Sequence, residues 1–261
     1  MATSTMLTLD RYRRPQDAIP LALRWRVRSM KRRLDDFRAG RRFAERHRGQ
    51  RDEFGFAVCR YELAIHCYPG QEARFAGKCH NLELSLAALD GVVVRPGDVL
   101  SFWHCVGRPT RRSGYVEAAA LRGGLLVEDI GGSICLASTA LYNIGLLSGL
   151  TIVERYCHSV DTYGENRYFE LGRDAAVEFP YRDLRLRNDL GVALLVRTST
   201  SDGVVAAEAW SASPMTAKVD LRVSLPADVD SRRLQVSTER VVTTAGEVRQ
   251  QHLGWSVYRQ P

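Results

Sequence analysis

No run of about eighteen apolar residues occurs in the chain, so no segment reads as a transmembrane helix. The first basic residues are not followed by an apolar stretch of roughly 7 to 15 residues, so the secretory-leader pattern is missing too. CxxC and HxxxH spacings are absent. The six cysteines, Cys59, Cys67, Cys79, Cys105, Cys135 and Cys157, form no regular framework, and 261 residues are enough to build a core without covalent staples. Reduced thiols and a cytoplasmic protein are therefore expected. GxxxxGK[ST] and GxGxxG are also absent, which removes the phosphate loops of nucleotide-cofactor folds, and no cofactor is expected. Lysine is scarce: Lys31, Lys78 and Lys218 are the only three among 37 basic residues.

Positive charge is abundant but unevenly placed. Residues 11–51 hold 15 Arg and Lys against 4 Asp and Glu, while the chain as a whole carries +7. A basic arm on a near-neutral body fits an acidic partner protein, an anionic surface or nucleic acid, or is simply a solvated helical face. Nucleic acid is not expected, because the arm contains only Tyr12, Trp25, Phe37 and Phe43 as aromatics and shows no helix-turn-helix or zinc-finger spacing. Ile19, Leu23, Trp25, Val27, Met30, Leu34 and Phe37 fall at roughly helical spacing, which predicts an amphipathic helix from Asp17 to about His47. Such a helix suits a partner protein, with a membrane surface the less favoured alternative.

Beyond a linker at 49–54, the pattern predicts a short helix over Asn81–Leu89 and strands at Val92–Val94, Val99–Trp103, Val116–Leu121 and Leu125–Val127. Turn signals at Arg122-Gly123-Gly124 and Pro226-Ala227-Asp228 separate strands. A helix is expected from Ala137 to about Ser148, followed by strands at Thr151–Arg155 and Ala175–Arg187. Further strands are expected at 191–200, 204–210, 218–225 and 233–243. The predicted fold class is α+β, a mixed or antiparallel sheet with a central helix opening near Cys135. The expected divisions are 1–50, 51–190 and a β-rich 191–261.

The chemistry concentrates at Gly131-Gly132-Ser133-Ile134-Cys135, where two glycines permit a tight turn and place a thiol at a helix start. Thiol catalysis needs a base within hydrogen-bond reach and a third group that orients the base. His158 and Asp174 are the candidates for those roles. The same residues also read as packing: a buried thiol, a capping imidazole and a turn aspartate. Arg155, Arg173 and Arg112 offer bidentate grips for a substrate carboxylate, and Ser138 joins them as a substrate-binding candidate. Adjacent His104-Cys105 and Cys157-His158 supply soft metal ligands, but strand neighbours point to opposite faces and no closed spacing supports them, so no metal is expected.

These motifs, taken together, resemble the VanW family. Asn81-Leu82, Pro96-Gly97-Asp98-Val99-Leu100-Ser101-Phe102-Trp103, Val106-Gly107-Arg108-Pro109-Thr110 and Gly114-Tyr115 follow its ordered segments. So do the Cys135 segment with Ser138 and Leu141-Tyr142, then Leu150 through Arg155 with His158-Ser159, and Gly172, Asp174, Ala175, Val177, Asp183-Leu184 and Asn188. The resemblance covers about residues 57–195. It departs from the family pattern at Leu136, where a glutamine is usual, and at Ser133, where a third glycine is usual. It implies an antibiotic-related or cell-envelope setting. The expected function is thus a thiol-dependent enzyme acting on a small amino-acid- or peptide-derived substrate, with a non-catalytic partner subunit of a heteromeric tailoring enzyme as the alternative.

Overall fold

The computed structural model describes residues 20–46, 51–68, 72–122, 125–162, 164–225 and 233–259. The turns expected at 123–124 and 226–228 and the first two residues of the 49–54 linker lie outside them. The chain divides into two compact units, residues 1–40 and 41–261.

The first unit contributes one helix, α1 (Leu21–Arg38), which begins after Pro20 and ends before Gly40. Proline suits that start because its fixed φ is already helical and it has no N–H to leave unpaired. Gly40 takes φ +59°, which halts the helix well short of His47.

In the second unit, β1 (Glu45–Arg46), β2 (Phe56–Ala64), β3 (Val92–Val94), β9 (Leu194–Ser201) and β10 (Val204–Ser211) form an antiparallel sheet in the order β1-β3-β9-β10-β2. Residues on both sides of position 190 therefore share one sheet. Helix α2 (Glu72–Leu89) packs on β9, and α4 (Cys135–Leu147) packs on β10 and β2. Nearly every side chain of α4 is buried, so its sequence is largely apolar on every face, with Ser138, Thr139 and Asn143 hydrogen-bonded. A second sheet joins β4 (Val99–Ser101), β8 (Arg185–Arg187) and β7 (Thr151–Glu154), and β5 (Glu117–Arg122) with β6 (Leu125–Ile130) makes a hairpin. The last sheet is β11 (Lys218–Ser224), β12 (Arg233–Thr244) and β13 (Glu247–Arg259).

Several motif residues prove to be joints of this architecture. The strand expected through Trp103 stops at Ser101, whose hydroxyl accepts from the His104 N–H and caps the short helix α3 (Phe102–Val106). Buried Asp183 accepts from the Ser101 hydroxyl at 2.6 Å, from the Trp103 N–H and from Arg185. Asn188 donates to the carbonyls of Val94 and Val192. Asn81, fully buried on α2, donates to the carbonyls of Val116 and Gly132 and accepts from the Val116 N–H. Replacing it by alanine removes the partner of the buried Gly132 carbonyl and of the part-buried Val116 N–H, while the Val116 carbonyl still accepts from the Gly131 N–H. Asn81→Ala is expected to cost on the order of 3 kcal/mol, read as a fall in the denaturation midpoint at unchanged slope.

The strand expected over Ala175–Arg187 is mostly irregular, with a turn at 179–181 and a strand only at Arg185–Arg187. Pro180 offers no ladder N–H, and the Glu178 and Arg182 backbones pair with each other across a tight turn.

Candidate functional site

The β5–β6 hairpin delivers the chain into a turn that only small residues can make. Gly131 takes φ +78° against Pro109, and a Cβ on Gly132 would lie 2.2 Å from the Ala118 carbonyl oxygen. Ser133, at the position of the family's third glycine, also takes a positive φ, +70°. Its hydroxyl donates to the Ala119 carbonyl at 3.0 Å, offsetting a conformation that L-residues rarely adopt. Cys135 is then the first residue of α4. Among the described residues its backbone N–H has no hydrogen-bond acceptor, as expected of a helix start.

His158 lies beyond β7 in a loop, and Asp174 follows the Gly172 turn. Asp174 is fully buried and gathers four groups around its carboxylate. The Oδ2 atom accepts from His158 twice, at 2.6 Å from ring Nδ1 and 2.7 Å from the backbone N–H. The Oδ1 atom accepts from Arg155 at 2.8 Å and from the Tyr258 hydroxyl at 2.5 Å. The Cys135 thiol donates to the Val177 carbonyl at 3.8 Å and is close enough to the same imidazole to raise its pKa. Phe169 stacks on the His158 ring at 5.3 Å. Three residues from three separate stretches of chain are thus brought together, the imidazole bonded to the carboxylate and the thiol beside it.

Burial opposes a charge on His158, but its hydrogen bonds to Asp174 and Cys135 outweigh that and push its pKa up to about 10. Burial likewise opposes the Asp174 carboxylate, yet His158 and Arg155 hold its pKa below the usual value. Burial first, and then the adjacent Asp174 carboxylate, keep the Tyr258 hydroxyl protonated, as a donor must be.

The remaining expected residues are placed differently. Arg155, expected to grip a substrate carboxylate, grips the protein's own: besides Asp174 Oδ1 it donates to the Asp174 carbonyl, the Gly172 carbonyl and the Ser256 hydroxyl. Arg173 donates to Asn143 and Glu170 and lies over the Tyr61 ring. Ser138 is buried and its hydroxyl donates to the Ala175 carbonyl at 2.6 Å, tying α4 to the Asp174 segment. Arg112 is exposed on the 3₁₀ turn Arg111–Ser113. Leu136, in place of the family's glutamine, is 2% exposed and points into the core. His104 stacks on Phe43, and burial pushes the Cys105 thiol up to about 12.

Tyr258 and Ser256 went unread in the sequence. Their strand, β13, begins with six exposed positions from Glu247 to His252, so the alternation that betrays a half-buried strand appears only from Trp255 to Arg259. Tyr258 also accepts from the Gly172 N–H at 2.7 Å. A Cβ on Gly172 would lie 2.5 Å from the Thr238 hydroxyl, which explains glycine there.

Comparison with known proteins matches residues 77–210 to the family described as VanW like protein. A Bacillus subtilis (strain 168) protein named YoaR, itself described as uncharacterized, is 34% identical over 142 residues, 54% of this chain and 46% of that protein. The vancomycin B-type resistance protein VanW of Enterococcus faecalis (strain ATCC 700802 / V583) is 33% identical over 113 residues, 43% of this chain and 41% of that protein. The chain spans less than half the length of these curated relatives. No solved structure matches. The stretch matched to the family contains Cys135, His158 and Asp174 but not Tyr258.

Proposed function

The chain belongs to the VanW family, and from that premise we propose that it is a thiol-dependent acyl-transfer enzyme acting on an amino-acid- or peptide-derived substrate. The name of its Enterococcus relative ties that protein to vancomycin resistance. We extend to this chain the broader setting of antibiotic resistance, antibiotic biosynthesis or cell-wall metabolism. Six free cysteines suit a reducing compartment, which supports a cytoplasmic site of action.

The observation that carries the reading is the His158 ring itself, held at Nδ1 by buried Asp174 and met by Cys135. With Nδ1 committed, Nε2 is the ring atom free to exchange a proton with the thiol. The ring takes the thiol proton as the Cys135 sulfur attacks a substrate carbonyl carbon, forming the S–C bond. The displaced carbonyl electrons collect on oxygen, which the Cys135 backbone N–H at the helix start is placed to receive. His158 then gives its proton to the leaving amine or alcohol as the C–N or C–O bond breaks, leaving a thioester. Water or a second nucleophile, deprotonated by the now neutral ring, releases the acyl group and restores the thiol. Asp174 stays ionised throughout, fixing the ring's tautomer and balancing its charge. Arg155 and Tyr258 act as positioning residues that hold Asp174.

Incubation with p-nitrophenyl esters of N-acylated amino acids tests this. A burst of nitrophenol is expected, with the acyl mass located on the peptide carrying Cys135, and both are expected to vanish in Cys135→Ala. Turnover unchanged in that variant would refute the reading.

A second reading rests on Leu136. With the family's polar side chain replaced by one buried in the core, the site offers fewer substrate contacts, which suits a non-catalytic subunit of a heteromeric tailoring enzyme. Tight binding of an acylated amino acid without any adduct at Cys135 would favour it.

A further inference from the structure

Helix α1 displays an exposed apolar stripe. Leu23, Val27, Met30, Leu34 and Phe37 recur at alternating intervals of four and three residues. That spacing places them along one line of the helix. All five are exposed, from 46% at Leu34 to 83% at Phe37.

The flanks of the stripe are uniformly basic. Arg24, Lys31 and Arg38 run along one side, Arg26 and Arg33 along the other, while Asp35 and Asp36 lie on the opposite half of the helix. These flanks argue against a second copy of the chain. Pairing two such stripes, parallel or antiparallel, would set Arg and Lys against Arg and Lys at every flanking position. A foreign helix is also a poor occupant, since the stripe spans only about two heptads, short of the three to four that sustain a coiled coil.

A surface that is both apolar and continuously anionic satisfies every position at once. Among the described residues no helix is long and apolar enough to cross a membrane, so the interaction would be one of lying on the surface rather than spanning it. We propose that α1 is an interfacial helix that docks on an anionic lipid membrane. The stripe enters the boundary between headgroups and acyl chains, and the flanking guanidinium groups meet lipid phosphates, their aliphatic stems covering apolar surface beside the stripe. This places α1 at a membrane face.

Co-sedimentation of the full chain with vesicles provides the test. Vesicles of phosphatidylcholine containing phosphatidylglycerol are compared with vesicles of phosphatidylcholine alone at physiological salt. Binding to the anionic vesicles is expected to exceed binding to the neutral ones by about tenfold or more, and to weaken as salt rises. The double variant Met30→Asp/Leu34→Asp, altered only at exposed positions, is expected to lose that binding while keeping the wild-type melting temperature. Failure to bind the anionic vesicles, equal binding to both kinds, or undiminished binding by the double variant would overturn the proposal. Absence of vesicle binding combined with capture of an acidic helical peptide would overturn it in favour of protein docking.

Discussion

Asp174→Ala is expected to be among the most damaging single substitutions in this chain. The carboxylate is fully buried and neutralises two cationic groups, Arg155 and His158, while accepting from Tyr258. Its removal leaves a buried guanidinium with a lost partner and an imidazole without the charge that holds its proton. Breaking a buried pair in this way costs about 3 to 5 kcal/mol. For a domain of this size that corresponds to a fall in melting temperature of roughly 10 °C or more.

The cost is pH-dependent, with a definite sign. Asp174 has its pKa held below the ordinary 3.8, so its contribution is present above that value and is lost as pH falls through the folded pKa. His158 has its pKa raised from 6.5 to about 10, so its contribution is complete below 6.5 and is lost as pH rises through 10. The melting-temperature gap between the native chain and Asp174→Ala is therefore expected to be widest from about pH 4 to 6.5 and to shrink toward pH 10. Melts across that range measure it, and a gap that is small, or flat with pH, would show that the carboxylate is not paired as described.

The site was legible where its residues carry chemical type and local turn chemistry. Two glycines before a cysteine announce a helix start, and a histidine and an aspartate downstream complete a set that only folding brings together. The roles of Arg155 and Arg173 were not legible, because an arginine that grips the protein's own carboxylate looks in sequence like one that awaits a substrate. Tyr258 was hidden for a different reason. It reaches Asp174 across 84 positions from a strand whose first six positions are all exposed.

The fold class was readable from alternating apolar and polar runs, and β3, β9, β10 and β12 fall close to where those runs lie. Strand β2 escaped notice because its faces are unevenly covered, with only Leu63 fully buried. Helix α2 begins nine residues before the expected Asn81 because its first turns are largely exposed and carry little apolar periodicity. The family motifs mix two kinds of residue that sequence does not separate. Asn81, Asp183 and Asn188 hold backbones together, whereas Cys135, His158 and Asp174 converge on one imidazole.

The largest chemical effect is expected from His158. Its ring is bonded to the carboxylate and sits beside the thiol, and loss of a positioned acid–base group typically costs about 10²- to 10⁴-fold in rate. His158→Ala and the more conservative His158→Gln are both expected to abolish the nitrophenol burst while leaving Cys135 in place. Retention of a folded structure by either variant, checked by its melting profile, separates lost chemistry from lost fold.

The most direct measurement is the rate at which iodoacetamide alkylates each cysteine at neutral pH, resolved by peptide mass in the native chain and in His158→Gln. If Cys135, His158 and Asp174 act as one unit, Cys135 is modified well ahead of the other five cysteines, and the substitution slows that modification by about 100-fold while leaving theirs unchanged. Alkylation of Cys135 at the same rate in both proteins would contradict it.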